Sequence, residues 1–185
     1  DGTECVARGY PEGSGLAECR ALRRAAEAVA VAEVLHADPR WSVLSWVPGH
    51  PMSPSSAAVE AAGRWVVRLH GVTFDAPGMF TEAGIEPFSF GGIVGFVSQR
   101  LASAEVRRWL GDDLVAAVGR AMRDEASRLT ELDEQACFVH GDFNPTNVLM
   151  LGGRISGVID WEFAHAGTPF MDIGNLRRHC GPEHE

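Results

Sequence analysis

The sequence predicts an α+β fold with a small N-terminal part and a larger, mainly helical C-terminal part. Strand-like segments occur within the first 50 residues, amphipathic helical patterns dominate from residue 53 to 134, and a strand hairpin follows. Residues 48–51 read Pro-Gly-His-Pro, which breaks the chain and is the best candidate for a hinge. We therefore expect one domain over residues 1–50 and a second over 51–185. With 185 residues, 45% of them hydrophobic, the chain is long enough to bury a substantial core.

The N-terminal part is expected to contain strands around one helix. A short strand is predicted around Glu4–Arg8, and the Gly-, Pro- and Ser-rich residues 9–15 predict a loop after it. Apolar residues at helical spacing predict a helix from about Leu16 to Val31. The apolar run Ser42–Val47 predicts the next strand, which ends at the proline-glycine break.

The first C-terminal helix has clear start and stop signals. Ser53 followed by Pro54 predicts its beginning, since serine caps a helix and proline is tolerated in the first turn. The helix should run to His70 and end at Gly71. Its spacing predicts a buried face made of Ala58, Ala62, Trp65, Val66 and Leu69.

The middle of the chain is less regular. Residues 72–101 are rich in Gly, Phe and Pro without a clear period, so we expect mostly loop with short helical pieces. A single long amphipathic helix is then predicted from Ser103 to about Glu134.

Composition excludes several classes of protein. The chain has 25 acidic and 16 basic residues, a net charge of −9, which argues against a surface that lies along nucleic acid. No apolar run approaches the roughly 18 residues of a membrane helix, and the first 20 residues lack a signal-peptide core, so a cytoplasmic protein without membrane contact is expected.

Four cysteines without a C-x-x-C pair indicate reduced thiols. Every basic residue is Arg, and several kinds of phosphate site are built around Lys.

Polar residues that are suited to catalysis or metal binding are concentrated between residues 138 and 161. A polar loop containing Asp142 and Asn147 separates an apolar strand end from two further strands, Val148–Leu151 and Ile155–Ile159. Gly152-Gly153 between them is a strong hairpin signal. With that turn, Asn147 should lie opposite Val158 and have Asp160 as a diagonal neighbour, roughly 7–8 Å away at the Cα level.

Such a set of oxygen atoms suits a magnesium-phosphate site. Mg²⁺ prefers one or two protein carboxylates together with phosphate oxygens and water. In phosphoryl transfer, a further carboxylate accepts the proton of the incoming hydroxyl. Asp142 is therefore the candidate base, and Asn147 and Asp160 are the candidate metal ligands.

The same residues carry a resemblance to a known family. His140-Gly-Asp142-x-x-x-x-Asn147, followed by Val158-Ile-Asp160-Trp-Glu, resembles the catalytic loop and metal aspartate of the aminoglycoside phosphotransferase and choline kinase-like family. The resemblance spans about 40 residues and extends to an Asp172 element. It implies a protein kinase-like two-lobed fold, MgATP as phosphate donor, a catalytic base at Asp142, and Mg²⁺ ligands at Asn147 and Asp160.

The resemblance also implies a nucleotide site in the N-terminal part. The strand that contains Arg8 resembles the one that presents a phosphate-binding cation, and Glu18 resembles the ion-pair partner of that cation. Relatives mostly use Lys there, and Arg is a forked, permanently charged donor instead. Residues 44–49 resemble the linker whose backbone binds adenine in the family. Ser45, Trp46 and Val47 are the candidate adenine-binding residues of that segment. Leu149 is placed like the apolar floor beneath the adenine ring.

The chain departs from the family pattern at both ends. A strand, a glycine-rich loop and a second strand should precede Arg8, but only seven residues do, and Gly13-Ser14-Gly15 lies after it. Relatives also continue with helices beyond the point where this chain stops. We therefore expect a partial N-terminal nucleotide-binding lobe, in a chain truncated from about 260–300 residues.

Three hypotheses for function remain. The first is an ATP-dependent phosphotransferase that acts on a hydroxyl of a small acceptor such as an aminoglycoside or an amino alcohol. The second is a truncated, non-catalytic kinase-like module that binds nucleotide or a partner. The third is metal-dependent hydrolysis at a cluster of His140, Asp160, His165 and His179; the family resemblance instead implies that His140 is structural and hydrogen-bonds to backbone. The oligomeric state is left open.

Overall fold

A computed structural model of the chain describes residues 4–90, 92–134 and 136–180, and it confirms the predicted α+β class. The strands are β1 (Cys5–Gly9), β2 (Val34–Ala37), β3 (Trp41–Ser45), β4 (His50–Pro51), β5 (Gly78–Phe80), β6 (Ile85–Pro87), β7 (Cys137–Val139), β8 (Val148–Leu151), β9 (Arg154–Val158) and β10 (His165–Gly167). The helices are α1 (Gly15–Ala25), α2 (Ser56–His70), α3 (Gly92–Ala102), α4 (Ala104–Leu110), α5 (Asp112–Asp124), α6 (Ala126–Asp133) and α7 (Phe170–Cys180).

The N-terminal part is an antiparallel sheet of order β1-β3-β2 with α1 beside it. Strand β1 pairs with β3 from Cys5, opposite Ser45, to Gly9, opposite Trp41. The predicted extension of α1 to Val31 is wrong, because the helix ends at Ala25 and the following turn leads the chain into β2. Strand β2 was not predicted, since its four residues are too few to establish a period.

The middle of the chain differs most from expectation. Strands β5 and β6 occupy the segment predicted to be mainly loop, in a sheet of order β6-β5-β10-β7. The predicted single helix over 103–134 is wrong, because it is divided into α4, α5 and α6. Gly111 separates the first two with a φ of 76°, and Glu125 leaves helical geometry between the last two. Glycine lowers the conformational free energy of such a break, because it adopts positive φ without steric strain.

Helix α2 confirms the predicted buried face but begins later than predicted. Its cap is Ser55, whose Oγ accepts a hydrogen bond from the Ala58 N–H at 3.3 Å, so Ser53 is not the cap. The helix ends at His70, as predicted. The five predicted core residues are all buried: Ala58, Ala62, Trp65, Val66 and Leu69.

The β8–β9 hairpin is confirmed, but its register is not. Gly152 and Gly153 both have positive φ, as a tight two-residue turn requires. An irregularity between Leu149 and Met150 shifts the pairing, so Val148 lies opposite Val158. Asn147 therefore does not lie opposite Val158, and its carbonyl oxygen accepts a hydrogen bond from the Ile159 N–H at 3.0 Å. A bulge of this kind cannot be inferred from the turn sequence alone.

Aromatic side chains fill the core between α2 and the polar loop. Trp65 stacks on Phe143 with 5.6 Å between ring centroids, and Trp161 packs at 6.3 Å from Trp65. Phe138 lies edge-on to Trp161 at 5.6 Å. All four rings are at most 2% exposed, so the loop that carries Asp142 rests on a rigid aromatic layer.

His140 belongs to this core although it can titrate. Its Nε2 donates to the carbonyl oxygen of Ile159 at 3.1 Å, and its Nδ1 accepts from the Asp142 N–H at 3.2 Å. The ring also packs 4.6 Å from Trp161 and is fully buried. Both hydrogen bonds require the neutral imidazole with its proton on Nε2. The expected structural role, with hydrogen bonds to backbone, is confirmed.

No helix in the described ranges is long and apolar enough to span a membrane.

Replacing Trp65 by Ala should destabilise the protein by about 3–5 kcal/mol, because the substitution leaves a cavity beneath the polar loop. Urea unfolding followed by circular dichroism measures this loss. Trp109→Ala is the matched control, since Trp109 is 82% exposed and its truncation should change stability by less than about 0.5 kcal/mol. Equal losses in the two variants would contradict the core assignment.

The contribution of His140 and His165 to the free energy of unfolding should fall as the pH decreases from about 7 to 5. Burial lowers the pKa of His140 and that of His165, so in this range the unfolded chain binds protons that the folded chain does not. Stability rises with pH wherever the unfolded state binds more protons, by up to about 1.4 kcal/mol per pH unit for each group. Urea titrations at several pH values give the slope, which His140→Gln should reduce. An unchanged slope in that variant would contradict the neutral buried imidazole.

Candidate active site

The predicted nucleotide-binding residues line one cleft between the N-terminal sheet and the β8–β9 hairpin. Its volume is about 810 Å³, within the range of small-molecule sites. Side chains from β1, α1, the linker after β3, and the hairpin contribute to its walls. The lining includes Arg8, Glu18, Ser45, Trp46, Val47, Asn147, Leu149 and Asp160. Residues separated by more than 140 positions in the sequence are thus gathered around one cavity.

Arg8 is at the centre of a cluster of carboxylates. Its Nη1 lies 3.2 Å from Glu18 Oε1, and its Nη2 lies 2.7 Å from Asp160 Oδ1 and 3.1 Å from Glu162 Oε2. Its guanidinium also lies over the ring of Tyr10, 5.5 Å from the centroid. Burial lowers the pKa of Arg8, but the charges of Glu18 and Asp160 outweigh it and raise the pKa above its ordinary value. The cation is therefore permanent and is held by three acids.

Glu18 is the buried member of this cluster. It is 4% exposed, and its Oε1 also accepts a hydrogen bond from the Trp161 N–H at 3.1 Å. Burial raises the pKa of its carboxyl, and the charge of Arg8 opposes that shift. Its Oε2 is buried without a hydrogen bond within the described part of the chain. The predicted ion pair between Arg8 and Glu18 is confirmed, and it also ties α1 to the backbone beside Asp160.

The polar loop before β8 brings Asp142 and Asn147 together. Asn147 Nδ2 donates to the Asp142 carboxylate at 2.9 Å and to its carbonyl oxygen at 3.0 Å. Within the loop, Asn144 Oδ1 accepts from the Thr146 N–H at 2.9 Å. These bonds fix the Asn147 amide, whose Oδ1 has no hydrogen bond to the described residues. Asn147 is 8% exposed, so it is almost entirely enclosed.

Asp172 holds the other end of this loop. Its carboxylate accepts hydrogen bonds from the N–H groups of His140 and Gly141, both at 2.9 Å, and it is fully buried. His70 Nε2 lies 3.0 Å from Asp172 Oδ2, and Asn175 Nδ2 donates to the Gly141 carbonyl oxygen. Sequence reasoning provided no signal for the contact with His70, because 102 residues separate the two partners.

The loop after β9 has an unusual backbone at Asp160. With a φ of 67°, Asp160 is the only residue other than glycine with positive φ in the described ranges. This left-handed conformation is sparsely populated and occurs often at functional sites. Gly141 also has positive φ, and a Cβ there would collide with the Phe163 carbonyl oxygen, so the loops of Asp142 and Asp160 are in direct contact.

The oxygen donors fit a magnesium ion that is completed by phosphate and water. Asn147 offers its amide oxygen and Asp160 its second carboxylate oxygen, a set compatible with the few protein ligands that Mg²⁺ takes. No group of three or more His, Cys, Asp or Glu side chains in residues 4–90, 92–134 and 136–180 could hold a metal ion. The predicted hydrolase-like cluster of histidines and Asp160 is therefore not present among these residues.

The backbone donors at the start of the linker after β3 are engaged within the protein. The Ser45 N–H donates to Glu33, and the Trp46 N–H donates to Glu4. The Val47 N–H makes no hydrogen bond to any residue that the structure describes, and it lies in the lining of the cleft. Leu149 is 9% exposed on the opposite wall. Glu162, which follows Trp161, contacts Arg8 and keeps 45% of its side chain exposed.

Solved structures of known proteins share this fold. The aminoglycoside phosphotransferase APH(4)-Ia matches with a TM-score of 0.70 and 22% identity over 94% of this chain and 64% of its own. A macrolide 2'-phosphotransferase from Brachybacterium faecium matches with a TM-score of 0.64 and 24% identity, over 94% of this chain and 63% of its own. The predicted kinase-like two-lobed fold is confirmed by these similarities.

One curated relative is similar in sequence. The hygromycin-B 4-O-kinase of Escherichia coli is 30% identical over an alignment of 102 residues, which covers 51% of this chain and 30% of that protein. The chain thus spans less than two thirds of these relatives. Residues 4–185 match the phosphotransferase enzyme family. Because that match covers nearly the whole sequence, the chain belongs to the phosphotransferase enzyme family.

Proposed function

We propose that the chain is the nucleotide-binding and catalytic part of an ATP-dependent small-molecule phosphotransferase. The observation that carries the proposal is the single cleft of about 810 Å³ lined by Arg8, Asn147 and Asp160, with Asp142 bonded to Asn147. The enzyme would transfer the γ-phosphate of MgATP to a hydroxyl of a small acceptor. One solved relative, 23% identical, is a ternary complex with ADP and hygromycin B, which supports ATP as the donor.

The nucleotide is proposed to lie along the cleft from the linker to the carboxylates. Leu149 forms the apolar floor for the adenine ring, and the Val47 N–H is the backbone donor available to it. Ser45 and Trp46 have their N–H groups engaged and contribute the rest of the wall. Arg8 binds the phosphates, and Glu18 holds its guanidinium in place through the 3.2 Å ion pair.

Asn147 and Asp160 are proposed to hold Mg²⁺. The ion supplies positive charge that neutralises the phosphates during transfer. The hydrogen bonds from Asn147 Nδ2 to Asp142 leave Oδ1 as the amide atom for this purpose. Arg8 contacts Asp160 Oδ1, so Oδ2 is the carboxylate oxygen without an ion pair. Three acids around one guanidinium leave an excess of negative charge that a divalent cation would balance.

Asp142 is proposed to be the base that orients the acceptor hydroxyl and accepts its proton. Asn147 fixes one oxygen of this carboxylate and Asp172 fixes the backbone immediately before it, so the reacting group is positioned before the acceptor binds. Aminoglycosides and amino alcohols are the acceptor classes proposed from the family resemblance. A cytoplasmic location stays a prediction.

The alternative is a non-catalytic module that binds nucleotide or a partner. The intact Asp142, Asn147 and Asp160 favour the enzyme.

Substituting Asp142 by Ala should lower phosphate transfer at least a hundredfold, while the Kd for MgATP should change less than threefold, because Asp142 acts on the acceptor and not on the nucleotide. ADP release with a panel of hydroxylated amines and calorimetry with MgATP measure the two quantities. Asp113→Ala, at an exposed position on α5, is the control and should match the unaltered protein. Folded protein that binds MgATP without turnover in any variant would favour the non-catalytic alternative.

Replacing Arg8 by Ala should weaken MgATP binding by about ten- to a hundredfold, because a charged hydrogen bond to phosphate is lost. Arg8→Lys should lose less, since it keeps the charge but not the forked geometry. Arg40→Ala is the matched control at an exposed arginine outside the cleft, and its Kd should be unchanged. Calorimetry gives all four constants. Equal affinities for Arg8→Ala and Arg40→Ala would refute the anchoring role.

A further inference from the structure

A second cavity lies on the other side of the loops that carry Asp142 and Asp160. It has a volume of about 270 Å³ and lies between α3 and the strands around β10. Apolar side chains form most of its wall, among them Met79, Phe88, Phe90, Ile93, Phe96 and Phe163. Phe88 and Phe90 stack with 4.7 Å between centroids, and Phe96 lies 5.2 Å from Phe90. The cavity is therefore a small aromatic pocket.

The pocket has few polar groups, and among the described residues the buried Thr168 Oγ1 in its lining has no hydrogen-bond partner. Asp133 is the only acid in its lining within the described ranges, and its Oδ2 accepts the Ile93 N–H at 2.7 Å. Burial raises the pKa of this carboxyl. His165 Nδ1 is hydrogen-bonded to the Phe163 carbonyl oxygen at 2.8 Å. Asp133 supplies a single carboxylate, so a ligand with several positive charges would lose water here without gaining a carboxylate partner for each charge, which is unfavourable.

Two loops connect this pocket to the nucleotide cleft. Gly141 lines the pocket, Asn147 lines the cleft, and Asp142 lies between them in sequence and is bonded to Asn147. In the same way Asp160 lines the cleft, and Phe163 lines the pocket. Compounds bound in the two cavities would approach each other at the Asp142 loop.

We propose that the aromatic pocket binds the apolar portion of the phosphate acceptor, so that the acceptor is a hydroxylated compound with an apolar ring or short chain and without multiple positive charges. This inference rests on the proposed function and specifies its acceptor differently from an aminoglycoside. The acceptor oxygen forms a bond to the γ-phosphorus, the bond from that phosphorus to ADP breaks, and the hydroxyl proton moves to Asp142. At roughly 30 Å³ for each water-sized group, the pocket accommodates a six-carbon chain or one ring.

A series of alkyl glucosides tests the pocket without changing the hydroxyl groups. Methyl, butyl and hexyl glucoside are titrated by calorimetry, below their micelle concentrations and with AMP-PNP and Mg²⁺ present. Full burial of one methylene tightens binding by about fourfold, so the five additional methylenes of hexyl glucoside should tighten it by about a hundredfold to a thousandfold relative to methyl glucoside. The same order should be found in kcat/KM from ADP release with MgATP. A flat series in the unaltered protein would overturn the proposal.

Two variants locate the effect. Phe90→Ser should reduce the gain from methyl to hexyl glucoside to less than tenfold, because Phe90 is part of the aromatic wall. Phe170→Ser should leave the gain unchanged, since Phe170 is 54% exposed and lies outside the pocket lining. Thermal unfolding of both variants verifies that they are folded. An undiminished gain in folded Phe90→Ser would also overturn the proposal.

Hygromycin B separates the inference from the proposed function. Phosphorylation of hygromycin B at equal rates by the unaltered protein and Phe90→Ser, with no gain along the glucoside series, would support the phosphotransferase and refute the apolar acceptor. Binding that depends on chain length, with no ADP released from any acceptor, would contradict the proposed function and with it the acceptor assignment.

Discussion

The ion pairs of Arg8 hold the site together. One guanidinium on β1 contacts Glu18 from α1 and Asp160 and Glu162 from the loop after β9, so it links the N-terminal sheet to the C-terminal part of the chain. Glu18 is buried and would be costly to charge without this cation, and it in turn fixes the Trp161 backbone. The position of Asp160 therefore depends on a residue 152 positions earlier. The same cation that would bind phosphate also shapes the cleft.

The polar loop before β8 is held by buried partners on every side. His140 below it is neutral and bonded to backbone, and Asp172 accepts two of its N–H groups. This arrangement places the loop between the cleft, which Asn147 lines, and the aromatic pocket, which Gly141 lines. A rigid loop between two cavities explains how two different compounds could be brought to one carboxylate.

Much of the site was predictable because its key residues lie in one contiguous segment, where the spacing from Asp142 to Asn147 and the Gly152-Gly153 turn determine local geometry. The Arg8–Glu18 ion pair followed from family resemblance. Contacts of high sequence separation were not predictable: Asp172 with His70, and Arg8 with Glu162, arise only once the chain has packed. The break at Gly111 and the short strands β5 and β6 were missed for a related reason, since tertiary context decides short elements and overrides helical periodicity.

The irregularity in the β8–β9 hairpin has a consequence for how the length of this segment can vary. The Gly152-Gly153 turn lies at the exposed end of the hairpin, away from the cleft, so natural variants could gain or lose residues there with little effect on the site. On β9 the situation is the opposite, because Ser156 is the extra residue between Ile155, opposite Met150, and Gly157, opposite Leu149. Loss of a single residue would remove the extra position, reverse the alternation of faces and carry the carboxylate away from Arg8. Insertions and deletions among natural variants should therefore be confined to the Gly152-Gly153 turn of this hairpin.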